Sequence, residues 1–346
     1  MSSPSAATFT TVNEDGCGDG GATISTVHSD VIQTHILNRL DGPTLASAGC
    51  ASSQLHALCA EENLWRDICV ATWPSLEEPL VRHIISTIPG GYRSVFSNSF
   101  PLLDHRSFHA KNPDPSSLTS ELISAVDMFY KDKLIFSKIQ KMETESAWFL
   151  CSPFRVDLLD PKDSVPTPVQ HAGHNEAWMK NIEDNLTLSW ILIDPTRKHT
   201  ANLSSLRPVS VQRHWLTGDV AVRYAIILAR DQRFSELVEC AIKVTFGGEE
   251  GGEMQVRKVS MMVEDMEGRN INGEETLVIL QGAMQSGKRK KAKNDGDEEK
   301  KRFNEYLEIK KERKEKKERI EKALDFICIA TGVTIFVAFW SFILFR

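Results

Sequence analysis

TVHSDVIQTHILNRLDGPTLASAGCASSQLHALCAEENLWRDIC, residues 26–69, crowds several short helical signals into one stretch. Ser29 is a candidate N-cap, with Asp30 in the opening turn of a first helix. Ile32, Ile36 and Leu40 recur every fourth residue with Leu37 beside them, which predicts one apolar stripe. Asp41-Gly42-Pro43 stops that helix and Thr44 is placed to cap the next. Leu45, Ala48 and Cys50 follow, then Leu55, Leu58 and Cys59, then Leu64-Trp65. About 40 residues cannot bury so much apolar surface alone. The cluster is therefore expected to dock on another surface, either a partner or the chain's own C-terminal domain.

Downstream of Pro113-Asp114-Pro115 the texture changes to strands. Leu186, Leu188, Trp190 and Leu192 alternate with Thr187 and Ser189. Val220, Val222, Tyr224, Ile226 and Leu228 repeat the period of two, with Arg223 on the opposite face. Segments 239–246, 254–262 and 276–281 are read as three more strands, and the loop Gly247-Gly248-Glu249-Glu250-Gly251-Gly252 joins the first two as a hairpin. Strands without intervening helical patterns imply an antiparallel β-sandwich-like domain. Residues 155–181, with three prolines and two histidines, read as a long irregular loop of the kind that carries recognition.

The C-terminus carries a second strong signal. Phe326–Phe345 (FICIATGVTIFVAFWSFILF) contains no charged residue. At a rise of about 1.5 Å per residue such a helix spans about 30 Å, the hydrocarbon thickness of a bilayer. Thr331, Thr334 and Ser341 are tolerable in lipid, and Trp340 sits where aromatic rings favour the interface. Because only Arg346 follows, the segment is expected to insert as a tail anchor, with the Lys-rich flank keeping the body cytoplasmic. Upstream, residues 300–322 are nearly all strong helix formers, with Glu312/Lys316, Glu315/Arg319 and Glu318/Lys322 at i,i+4. Their apolar residues Phe303, Tyr306, Leu307, Ile309 and Ile320 are too few for a coiled-coil seam, which predicts a solvated helical stalk. Lys288–Lys293 (KRKKAK) reads as an import signal, an anionic-lipid patch or a charged linker.

The chain has 346 residues, 41% hydrophobic and 25% charged, which excludes a disordered, collagen-like or disulfide-scaffold protein. Residues 288–322 hold 16 basic and 10 acidic side chains, leaving the first 287 residues with 24 basic against 36 acidic, a net of −12. A body that acidic repels phosphate, so no nucleic-acid partner is expected. The seven cysteines are scattered without a Cys-x-x-Cys pair, and residues 1–21 lack an apolar stretch, which argues for reduced thiols and no signal peptide.

The residues of the first stretch resemble an F-box, the adaptor-binding module of SCF ubiquitin ligases. The resemblance is carried by Ile32, Ile36-Leu37, Leu40, Asp41, Leu45, the Gly49-Cys50 step, Leu55 and Glu62-Asn63-Leu64-Trp65. Val27-His28 stands where the family usually has Leu-Pro, and Leu55 where it commonly has Trp. The stretches WPSLEEPLV and IPGGYRSVFSNSFPLL within 73–103, then LISAVDMFYKDKLIFSK and WFLCSPFRVDLLDP, are similar to a group of plant F-box proteins with a C-terminal β-rich domain, and this broader resemblance covers most of residues 27–287. The resemblance implies an α+β chain: a disordered tail to 26, a three-helix F-box at 27–69 and a connector at 70–112. A β-rich target domain at 113–287, a charged linker and stalk at 288–322 and a transmembrane helix at 323–346 complete it. It further implies that Ile32, Ile36, Leu37, Leu40, Leu45, Leu55, Leu64 and Trp65 bind a Skp-type adaptor, and through it a cullin and a RING protein. The target would be a protein held by the β domain, and the site a single-pass ER or other endomembrane location, with nucleus or cytoplasm as the alternative. Some plant relatives of this kind carry a lectin-like sandwich, but no sugar-binding motif is matched here, and a membrane-tethered scaffold is the rival reading.

Catalytic and metal chemistry find little support. Gly282–Lys288 resembles a phosphate-binding loop, but Arg289 stands where Ser or Thr must ligate Mg²⁺. Gly16, Gly18 and Gly21 match a dinucleotide fingerprint with no strand before them. His105/His109 and His171/His174 lack a third ligand at a telling interval, so no metal or cofactor is expected. Trp148, Trp190 and Trp215 read as buried sheet aromatics, and the sequons at Asn185 and Asn202 as unmodified reporters of topology.

Overall fold

The computed structural model describes residues 27–103, 119–171, 176–231, 236–287, 289–290 and 297–346. The Gly16–Gly21 pattern, His105, His109, His174 and most of Lys288–Lys293 lie outside them. The chain divides into two compact units with the boundary after Leu64.

The first unit is a string of short helices: α1 (Ser29–His35), α2 (Gly42–Ala48), α3 (Ser53–Cys59) and the start of α4 (Glu62–Thr72). The starts of α1, α2 and α3 are each fixed by a capping side chain. The cap of α1 is His28, not Ser29, with the Asp30 amide donating to its ring at 3.3 Å. The cap of α2 is Asp41, not Thr44: the Thr44 amide donates to Asp41 Oδ1 at 2.9 Å, and Pro43 fits the opening turn, where its missing N–H costs nothing. Ser52 caps α3 through the Leu55 amide. Gly49 lets α2 and α3 pack closely, because a Cβ there would lie 3.3 Å from Cys59 Cβ, a tight approach.

The second unit opens on the rest of α4, then α5 (Pro79–Thr87) and α6 (Gly91–Ser99). An aromatic seam joins them: Trp65 and Trp73 lie 5.4 and 5.7 Å from Phe96, which stacks on Phe100 at 4.7 Å. After β1 (Leu102–Leu103) come two antiparallel sheets. One is ordered β3 (Lys133–Glu143), β2 (Glu121–Tyr130), β6 (Leu186–Asp194), β7 (His199–Asn202). The other is ordered β4 (Arg155–Asp157), β11 (Glu253–Glu264), β10 (Glu236–Gly247), β9 (Val220–Asp231), β8 (Ser210–Arg213), with β5 (Val165–Gln170) also on β11. Their inner faces share one core: Val126, Met128, Leu188 and Trp190 from the first, Val222, Tyr224, Ile242 and Val244 from the second. The period-of-two reading of β6 and β9 thus identifies the inward residues correctly, and β10–β11 form the expected glycine-rich hairpin. Burial inside this core pushes the Cys240 thiol up to about 12, so it is an inert packing residue.

Two expectations fail locally. Residues 276–281 are not a strand but part of α9 (Gly273–Ser286). The β-branched content suggested extension, yet Leu277, Leu280, Ala283 and Met284 recur at helical spacing and all face the core. Asn272 caps the helix through the Glu275 amide at 2.9 Å, with Glu274 and Glu275 in the first turn. Gly282–Ser286 is therefore the last turn of a helix, which presents carbonyls rather than the amides a phosphate requires. Residues 155–181 are likewise more ordered than a long loop, because β4, β5 and α8 (Glu176–Asn185) fall within or begin in them. Gly273 is packed so tightly that an added Cβ would strike the Phe149 carbonyl. Gly273→Ala is expected to lower stability by about 1–3 kcal/mol, read as a reduced urea midpoint at unchanged slope.

The outer face of the first sheet is covered by the connector helices. Asp127, in the middle of β2, accepts from the Ser75 amide at 3.0 Å, the Ser75 hydroxyl at 2.5 Å and the Ser137 hydroxyl at 2.7 Å. Arg289 closes the domain from the other end of the chain. In β12 (Arg289–Lys290), paired with β1, its guanidinium donates to the carbonyls of Asn98 and Thr200 at 2.7 and 3.0 Å. Burial pulls that guanidinium below its ordinary value, and one charge of the KRKKAK run is thereby internal rather than presented to lipid or an import receptor.

Candidate protein-docking and membrane-spanning surfaces

The structure sorts the eight candidate adaptor residues into three groups by burial. Ile32, Leu37, Leu45, Leu55, Leu64 and Trp65 are buried, Leu40 is half-buried, and Ile36 is 45% exposed. The apolar stripe Ile32–Ile36–Leu40 does not exist as drawn. Helix α1 ends at His35, and a 3-10 turn over Leu37–Arg39 changes the angular step, so Leu37 rather than Ile36 points inward. Val31, absent from the candidate set, is as exposed as Ile36. The missed signal is the early end of α1: a helix cut at seven residues leaves two apolar side chains, Val31 and Ile36, outside its buried line.

The β domain presents other surfaces. Strand β3 is an edge, and beside its Leu134–Lys138 segment lies an open groove of about 730 Å³ closed on its far side by Leu159–Val165. Only Trp190 of the three tryptophans is a buried sheet aromatic, its indole donating to Ser124 Oγ at 3.0 Å. Trp148 on α7 (Ala147–Cys151) is 79% exposed, and Trp215 at the tip between β8 and β9 is 86% exposed beside exposed Leu216. Of the sequons, Asn202 is buried in β7, its Oδ1 accepting from the amides of Trp190 and Ser204, so it is unfit as a topology reporter.

Among the described residues no group of three or more His, Cys, Asp or Glu could hold a metal ion. His171 is buried, with its ring 4.8 Å from that of Trp178. A charged cluster lies on the outer face of the second sheet. There Arg223 pairs with Glu239 at 2.5 Å and Glu264 at 3.4 Å, and Lys243 with Glu264 at 2.9 Å. Burial raises the Glu239 carboxyl against the pull of Arg223. Glu264 is also pushed up by burial, but the Lys243 ammonium and Arg223 overcome this and hold it below the ordinary carboxylate range. These are structural ion pairs under a helix, not an acid–base pair open to a substrate.

That covering helix is α10 (Asp297–Leu344), 48 residues without a break. It is not the fully solvated stalk its composition suggests. Phe303 and Tyr306 are buried against Val209, Ala225, Ile227 and Met266 on the second sheet, and Phe303 lies 5.9 Å from the Arg223 guanidinium. Two apolar residues one turn apart suffice to dock a helix end even where the rest is charged. The C-terminal part has a mean hydropathy of 2.3 over its most apolar window and none of that window is buried, which by length and composition suits a bilayer crossing.

Comparison with known proteins places this architecture. The Arabidopsis thaliana F-box protein At2g27310 is 47% identical over 339 residues, covering 94% of this chain and 98% of the relative. F-box protein At3g44326 from the same plant is 46% identical, with 91% of this chain and 88% of the relative covered. Probable F-box protein At2g36090 is 46% identical, with 93% and 94% covered. No family model matches the chain, and no solved structure does.

Proposed function

The chain belongs to the F-box protein family, and from that premise we propose that it is the target-recognition subunit of an SCF-type ubiquitin ligase. Residues 27–69 dock a Skp-type adaptor that leads to a cullin and a RING protein. Residues 113–287 hold a protein target, with 70–112 as connector. Residues 288–322 form the linker and stalk, and 323–346 anchor the assembly in an endomembrane with the body facing the cytosol. The subunit is non-catalytic: transfer of ubiquitin depends on tethering the target near the conjugating enzyme, which raises its effective concentration.

The observation that carries the reading is kinship with F-box proteins over more than nine-tenths of the chain, helical module and β domain alike. Within the module, Ile36, Val31 and half-buried Leu40 are the residues we assign to direct adaptor contact, since their side chains already meet solvent. Ile32, Leu37, Leu45, Leu55, Leu64 and Trp65 act through the module's shape. On the β domain the groove beside β3 is our candidate for target contact, because an edge strand accepts an extended segment by main-chain pairing.

The adaptor assignment is tested at the exposed positions. Val31→Glu with Ile36→Glu is expected to weaken binding to purified adaptor by about 10–100-fold, while far-ultraviolet circular dichroism stays unchanged. Wild-type affinity in the double variant would refute the docking assignment. Leu45→Asp serves as the contrasting control, because it loses binding by unfolding the module.

A further inference from the structure

We propose that α10 is a rigid post that stands the β domain on the phospholipid headgroups with the Arg230 end of β9 down and the Trp215–Leu216 tip pointing away. The inference rests on the membrane-spanning reading of 326–345 and adds to it an orientation that a mere tether would not give.

Three observations carry it. The helix has no glycine or proline between Asp297 and Asp325, so nothing in that segment provides a hinge. Its first turns are clamped to the domain by several kinds of contact. Phe303 and Tyr306 are buried against the second sheet, Lys300 pairs with Glu183, and Lys317 pairs with Glu267 at 3.7 Å. The contacts also have a direction. Phe303 sits beside Arg223, whereas Lys314 and Lys317 line a cleft of about 480 Å³ with Arg230 and Glu267. The helix therefore advances along β9 from its middle to its end and leaves the domain at Arg230 and the Glu267–Arg269 turn.

From Lys317, the last described residue of the helix in an ion pair with the domain, to Phe326 is nine residues, or about 14 Å of helix. That distance leaves little room between the departing end of the domain and the headgroups. The other end of β9, with the β8–β9 tip and the Gly247–Gly252 loop, lies a 12-residue strand away, about 40 Å at 3.4 Å per residue. Exposed Trp215 and Leu216 are thereby carried away from lipid and left free for protein contact. The basic residues that line the cleft alternate with Glu236, Asp265, Glu318 and Glu321, so orientation comes from helix stiffness and not from attraction to anionic lipid.

The test uses the full chain reconstituted into phosphatidylcholine liposomes, with a fluorescent amino acid placed at Glu267 or at Leu216 and an energy acceptor on the headgroups. Transfer several-fold stronger from 267 than from 216 is expected, and it should be the same when phosphatidylserine is added. A six-residue Gly-Ser insertion after Lys322 should bring the two labels to equal transfer. Equal transfer in the intact protein overturns the proposal, as does a difference that survives the insertion or appears only with phosphatidylserine. Failure of the protein to float with liposomes is a separate readout that removes the spanning reading, and the proposal with it.

Discussion

Asp127→Ala is expected to cost the second unit about 3–5 kcal/mol, because it strips the acceptor from three donors at once, two of them buried on Ser75. The Ser75 amide, the Ser75 hydroxyl and the Ser137 hydroxyl all point at this carboxylate, and Ser75 sits on the connector while Ser137 sits on the neighbouring strand. One side chain therefore ties the connector helices to the sheet. Asp127→Asn keeps an oxygen of the same reach and should lose only about 1 kcal/mol. Burial holds the Asp127 carboxyl above its ordinary value, against hydrogen bonds from Ser75 and Ser137 that pull the other way. A raised folded value means that ionisation costs stability as pH climbs from the ordinary carboxylate range through the raised one. The asparagine variant has no such group, so its deficit relative to wild type should shrink over that window. Urea midpoints of the three proteins across a pH series measure both effects. An alanine variant as stable as the asparagine one would show that the donors find other partners.

Much of the β domain was legible because a sheet with one buried face writes its period of two directly into the chain. Leu186, Leu188, Trp190 and Leu192 are all inward, as are Val220, Val222, Tyr224, Ile226 and Leu228. Residues 276–281 misled for a physical reason: TLVILQ is β-branched enough for a strand, while its caps, Asn272 and the following glutamates, lie outside the apolar run. Phe303 and Tyr306 were legible as apolar but not as docked, since their partners Val209, Ala225 and Ile227 are far away in sequence. In the N-terminal helical module the sequence located the apolar residues but not their directions, because a seven-residue helix passing into a 3-10 turn obeys no single period. Ile36 and Leu37 exchange inside and outside on that account, a change of role that reassigns which positions a binding experiment should alter.

Val333→Arg combined with Phe336→Arg should move the protein from the membrane pellet to the supernatant after alkaline carbonate extraction. The segment Phe326–Phe345 contains twelve Leu, Ile, Val or Phe residues. At about −0.3 to −0.6 kcal/mol each on the insertion scale they supply roughly −4 to −7 kcal/mol. Each central arginine adds about +2.5 to +3.5 kcal/mol and removes one favourable residue, so two of them bring the balance to about zero or above. Snorkelling cannot rescue them, since both positions lie in the middle third of the span and far from either headgroup layer. The docking of Phe303 and Tyr306 is untouched by these substitutions, so the body should remain folded and still bind adaptor. Recovery of the double-arginine protein in the membrane fraction would mean that contacts of the body hold it there, and the helix would lose its role as an anchor. Release with adaptor binding intact would separate the two surfaces cleanly, one for lipid and one for protein.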